Sequence, residues 1–100
     1  MPPEVDLKEL LLALREVMDR AALYTHHEVA REALSVRERM SRVLERLTGD
    51  QFIAFTSMFD VHEGRSGVVV TFLAILELLK AQLIELVQNE PLGEIHLKAA

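Results

Sequence analysis

The chain has 100 residues, half of them hydrophobic, and a formal net charge of −5 at pH 7. This length and composition predict one folded domain and exclude a disordered chain. The absence of cysteine excludes disulfides and thiolate metal sites, and the acidic balance argues against strong general affinity for nucleic acid. The apolar run 67–76 is shorter than the roughly 18 residues of a membrane span. With no signal-peptide pattern at the amino terminus, we expect a cytoplasmic protein with no membrane partner.

The first predicted helix runs from about Asp6 to Leu23. Asp6 and Glu9 have the spacing of an N-terminal capping box. Apolar residues recur at helical spacing and predict one buried stripe: Leu7, Leu10, Leu11, Leu14, Val17, Met18 and Ala21. Either the rest of this chain or another chain must cover that stripe. The polar segment 24–33 then predicts an extended connector or a short edge strand.

A second helix is predicted to begin after Ser35, with Glu38 completing a capping box and Gly49 as its C-terminal cap. Its predicted buried face consists of Val36, Met40, Val43, Leu44 and Leu47. A brief strand at 51–53 and a helical turn or two ending at Phe59 follow. We expect the phenylalanines of this region to close the core: Phe52, Phe55 and Phe59.

A long apolar helix is predicted to start at about Arg65, with Ser66 as its amino-terminal cap. Steps of about 100° per residue assign one face to the core: Val68, Val69, Phe72, Ile75, Leu76, Leu79 and Leu83. The opposite face is not charged, as an ordinary amphipathic helix would require, but carries Val70, Leu73, Ala74 and Glu77.

Two segments that alternate with period two follow the long helix, at 84–88 and 94–98. Asn, Pro and Gly lie between them and predict a tight turn. Helix, strand, turn and strand in this order are typical of the second half of a winged helix. We therefore predict a mostly α fold with a small β-hairpin. A linker and amphipathic helix (1–33) would lead into a winged helix-turn-helix domain (34–100).

No pattern for catalysis, a metal or a cofactor is found in the sequence. The adjacent His26 and His27 would point to opposite faces of an extended segment, which does not suit a shared metal ion. The carboxylates lie on predicted solvent faces, and there is no glycine-rich phosphate loop. The long helix offers only Arg65 and Lys80 to a polyanion, so sequence-specific DNA recognition is not expected, although weak non-specific contact stays open.

The second apolar face of the long helix has two interpretations. The first helix could fold over it and make it core, or it could dock a partner protein, since exposed apolar patches often mark such sites. On the docking interpretation, the contact residues are Val70, Leu73, Ala74 and Glu77, extended by Pro91 and Leu92 at the tip of the wing.

Three stretches resemble the carboxyl-terminal part of the segregation and condensation protein A family, the bacterial kleisins. They are 35–40 (SVRERM), 67–80 (GVVVTFLAILELLK), and Gln88 with 92–95 (LGEI). The resemblance implies a non-catalytic winged helix that binds the ATPase head of an SMC protein in the nucleoid-associated complex for chromosome condensation and segregation. That complex would also contain segregation and condensation protein B. The residues alone leave two alternatives: a winged-helix DNA-binding regulator, or a homodimerisation module.

Overall fold

Three α-helices make up most of the computed structural model, which describes residues 6–24, 35–49, 51–90 and 93–100. The first helix, α1, spans Leu7–Ala21, the second, α2, spans Val36–Arg46, and the third, α3, spans Gly64–Lys80. Short 3-10 turns follow α1 and precede α3. The three predicted helices are confirmed, with ends that differ from the prediction by one or two residues.

The helix starts are set by local side-chain chemistry. The Asp6 carboxylate accepts a hydrogen bond from the backbone N–H of Lys8, and the Ser35 hydroxyl accepts one from Glu38, so both predicted N-caps are confirmed. The prediction for α3 was wrong, because Ser66 lies inside that helix. Instead, Gly64, with φ of 77° and ψ of −174°, lets the chain turn sharply into α3, a conformation open essentially to glycine alone.

A three-stranded antiparallel sheet packs beside the helices. Its strands are β1 (Ile53–Ala54), β2 (Ile84–Gln88) and β3 (Ile95–Ala99), and β3 lies in the middle. Leu97 of β3 is opposite Leu86 on one side and Ile53 on the other. The order α2, β1, short helical turns, α3 and hairpin is that of a winged helix, as predicted.

One hydrophobic core includes residues from α1 and from the later elements. Its fully buried members include Val17, Leu47, Phe55, Val68, Ile75, Leu78 and Leu97. Most of the predicted buried stripe of α1 is covered by its own chain, but Leu7 and Leu11 are exposed, so their assignment to that stripe was wrong. The predicted division between 1–33 and 34–100 falls in the segment 25–34, which lies outside the described residues. The predicted connector lies there too, apart from Tyr24, which ends the 3-10 turn after α1. That division stays a prediction.

Two predictions about the core were wrong. Phe52 is 55% exposed, and its ring lies 5.9 Å from the Lys98 Nζ instead of closing the core with Phe55 and Phe59. The predicted buried face of α3 was also wrong in part, because Val69 and Leu83 are exposed, whereas Val68 and Ile75 are buried and Phe72, Leu76 and Leu79 pack half-buried against the core. The residues of α3 that the structure buries are Gly64, Gly67, Val68, Thr71, Ala74, Ile75 and Leu78.

Candidate protein-docking surface

The outer face of α3 is apolar at its centre. Val69 is 43% exposed and Leu73 is 44% exposed, one helical turn apart. Charged residues lie only towards the two ends of this face, Arg65 near the start and Glu77 and Lys80 near the end. In a winged helix, the helix before the hairpin is the one that other members insert into the DNA major groove. Here the middle of that helix exposes apolar side chains instead of side chains that could donate hydrogen bonds to base edges.

A groove of about 460 Å³ runs between this face and α2. Its walls are Val36, Arg37 and Met40 from α2, and Leu73, Leu76 and Glu77 from α3. Four of the six side chains are apolar. The remaining two are a guanidinium and a carboxylate on opposite walls. This arrangement can bind an apolar ridge of another protein and orient it through charges at the edge.

The structure distinguishes the sequence-predicted contact residues from one another. Leu73 and Glu77 line the groove and are exposed, and Val70 is half-buried. Ala74 has no exposed surface, so its assignment to the outer face was wrong; it packs inside the core. Pro91 and Leu92 lie outside the described residues. Val69 was missed as a surface residue, and the half-buried Val36, Met40 and Leu76, which were predicted to face the core, line the groove as well.

A partly buried ion pair joins α2 to Glu63, the residue that precedes α3. The Arg39 guanidinium donates to both carboxylate oxygens of Glu63, at 2.8 and 3.1 Å, and Arg39 is buried. This bidentate geometry fixes orientation as well as distance. It therefore fixes the start of α3 against the middle of α2, although neither residue lines the groove. Sequence periodicity gave no signal for it, because Arg39 is not among the apolar residues of the buried face predicted for α2.

The remaining polar residues do not form a metal centre in the part of the chain that the structure describes. No group of three or more His, Asp or Glu side chains converges on a point among those residues. His62 and His96 each lie beside one carboxylate, Asp60 and Glu94 respectively. Among the described helices, none is both long and apolar enough to cross a bilayer.

Comparison with known proteins identifies the family of the chain. The model of the family described as Segregation and condensation protein ScpA matches residues 3–100. Segregation and condensation protein A of Coxiella burnetii is 56% identical over 97 residues, which is 97% of this chain and 36% of the relative. The protein of that name from Xylella fastidiosa is 54% identical over 99% of this chain and 33% of its own length. The one from Myxococcus xanthus is 44% identical over 94% of this chain and 33% of its own length. The chain thus spans about a third of the length of the curated relatives it matches.

Proposed function

The chain belongs to the segregation and condensation protein A family, and from this membership we propose that it acts in chromosome segregation and condensation as a non-catalytic docking domain. Its proposed partner is the ATPase head of an SMC protein, which would supply the ATP chemistry. Segregation and condensation protein B would belong to the same nucleoid-associated complex in the cytoplasm. DNA would be contacted only indirectly or weakly.

The observation that carries this proposal is the apolar centre of the outer face of α3. Exposing Val69 and Leu73 side by side is unfavourable unless another surface covers them. A DNA-reading helix would place Arg, Lys, Asn or Gln at these positions. The face therefore suits a protein partner better than a polyanion.

The groove between α2 and α3 supports a defined docking orientation. Leu73 and Leu76 provide apolar contact from α3, and Met40 adds a flexible side chain from α2 that can adapt to the partner. Arg37 and Glu77 carry opposite charges on opposite walls. A partner ridge with an acidic and a basic residue in matching places would bind in only one direction.

The test is a calorimetric titration of this chain with a purified SMC ATPase head from the same organism. We expect one-to-one binding, and we expect Leu73→Asp to weaken it about thirtyfold or more, as for a central interface residue. Because Leu73 is 44% exposed, the same change should cost less than about 1 kcal/mol of folding free energy. The Leu11→Asp variant is the matched control, since Leu11 is 47% exposed on a different helix.

Two results would count against the proposal. If the folded chain does not bind the head, the family membership stands but this docking role does not. If Leu73→Asp and Leu11→Asp bind the head equally well, docking uses another surface. A mobility shift with duplex DNA at low salt, lost steeply as salt rises, would favour the DNA-binding alternative instead.

A further inference from the structure

A second groove, of about 340 Å³, lies between α1 and the turn end of the hairpin. One wall is a single face of α1, formed by Glu9, Leu12, Ala13 and Glu16 at helical spacing. The other wall is formed by Phe55 and Thr56 together with residues 93–95. Among the described lining residues, this hairpin groove has none in common with the groove between α2 and α3.

The hairpin groove combines an apolar floor with an acidic rim. Leu12 is 55% exposed, and the buried side chains of Phe55 and Ile95 lie beside it. Three carboxylates line the groove, those of Glu9, Glu16 and Glu94, and no Lys or Arg is found among its described lining residues. Carboxylates beside a low-dielectric floor attract cations more strongly than carboxylates surrounded by water.

The two walls are joined by a buried amide. The Gln88 side-chain nitrogen donates to the Glu9 carboxylate at 2.7 Å and to the Gly93 carbonyl oxygen at 2.8 Å. Gln88 is itself buried, so these bonds are shielded from water. The width of the groove is thus fixed without a ligand, which lowers the entropy cost of binding. Glu94 lies 3.3 Å from His96, whereas Glu16 has no side-chain partner in the part of the chain that the structure describes.

We propose that the hairpin groove docks a segment of another protein that carries Arg or Lys on either side of an aliphatic side chain. The aliphatic group would pack on Leu12, and the basic groups would pair with Glu16 and Glu94. The wall from Glu9 to Glu16 is about 10 Å long at 1.5 Å per residue, which matches about three residues of extended chain. A second copy of this chain fits less well, because each copy carries a net charge of −5. The domain would then hold two protein segments at separate places.

Blocked peptides that alternate leucine and arginine over eight residues provide a defined probe. Binding is measured by fluorescence anisotropy. The binding site is located from the changes in backbone-amide chemical shift in NMR spectra of the isotopically labelled chain. We expect the peptide to shift the amide resonances of Leu12, Thr56 and Gly93. We expect its affinity to fall as the salt concentration rises towards about 0.5 M. A leucine–glutamate peptide should not bind. A serine–arginine peptide should bind about tenfold more weakly, because serine cannot make the apolar contact with Leu12 on the floor of the groove.

Matched variants locate the effect. Glu16→Lys should weaken the binding of the leucine–arginine peptide about tenfold. Glu45→Lys, the same change at an exposed glutamate of α2, should leave the affinity unchanged. Leu12→Ser should weaken it too, and Leu11→Ser, one position away but outside the groove, should not. Leu73→Asp should have no effect, which separates this proposal from docking at α3.

Several outcomes would overturn the proposal. These are an absence of peptide binding, an equal loss of affinity in Glu16→Lys and Glu45→Lys, or changes in amide chemical shift that are confined to other surfaces. Light scattering that shows a dimer, with Leu12→Ser returning it to a monomer, would assign the groove to a second copy instead.

Discussion

Replacing Gly67 by alanine should destabilise the domain, although the same change in most helices is stabilising. Alanine is favoured over glycine in a helix interior by about 1 kcal/mol. At this position, however, a Cβ atom would lie 2.4 Å from the Glu63 Cβ and 2.7 Å from its Oε1. Glu63 would have to move, and its carboxylate would leave Arg39.

The expected cost follows from the ion pair. Each hydrogen bond to a charged group contributes about 1.5–3 kcal/mol, and the Glu63 side chain is 26% exposed, so solvent screening places the pair at about 2–4 kcal/mol in total. Subtracting about 1 kcal/mol for the helix propensity leaves a net loss of about 1–3 kcal/mol. For a domain of this size that corresponds to a fall in Tm of roughly 5–20 °C. Thermal and urea denaturation followed by circular dichroism measure it.

The same substitution made in a second variant, Glu63→Gly, tests this explanation. In Glu63→Gly the clashing side chain is gone and the ion pair is already lost, so adding Gly67→Ala should now stabilise the chain by about 0.5–1 kcal/mol. The sign of the effect reverses between the two backgrounds. If Gly67→Ala stabilises the unmodified chain, or destabilises both backgrounds equally, the link from Gly67 through Glu63 to Arg39 is wrong.

Two further predictions concern the core. Thr71→Val should stabilise the domain by about 1 kcal/mol, because the buried Thr71 hydroxyl has no hydrogen-bond partner among the described residues and valine has the same shape; a lower urea midpoint would instead reveal a bond that the hydroxyl makes. Phe55→Ala should cost about 3–5 kcal/mol of unfolding free energy, since Phe55 is fully buried and packs edge-on against Phe59 and Phe72. Phe52→Ala is its matched control and should cost less than about 1 kcal/mol, so similar losses in the two variants would contradict the assignment of the core.

The winged-helix order was predictable from sequence, because each element has its own local signal. Ser35 caps α2 through its own hydroxyl, and the strands of the hairpin alternate with period two. These features depend on residues near one another in the chain. They can therefore be recognised in the sequence without knowledge of the tertiary packing.

The orientation of α3 was not predictable in the same way. Nearly every residue from Val68 to Leu79 is apolar, so hydrophobicity does not separate one side of the helix from the other. The structure buries the small residues Gly67, Thr71 and Ala74 together with the larger Val68, Ile75 and Leu78, and it exposes Val69 and Leu73. Packing against the neighbouring elements, which periodicity does not report, decides which side faces the core, since Val68 is buried and the next residue, Val69, is exposed. The Arg39–Glu63 pair was missed for a related reason, since it joins residues 24 positions apart.

The bond between Gln88 and Glu9 also sets an order of events during synthesis. Its partners are 79 positions apart, and β3 follows still later. At about 5–20 residues per second, a ribosome needs roughly 4–16 s to make the chain between them. During that interval Leu10 and Val17 of α1 lack the sheet and much of α3 that complete their core. The helix α1 is therefore made well before the elements that cover it, and its apolar side stays partly uncovered until the hairpin is made.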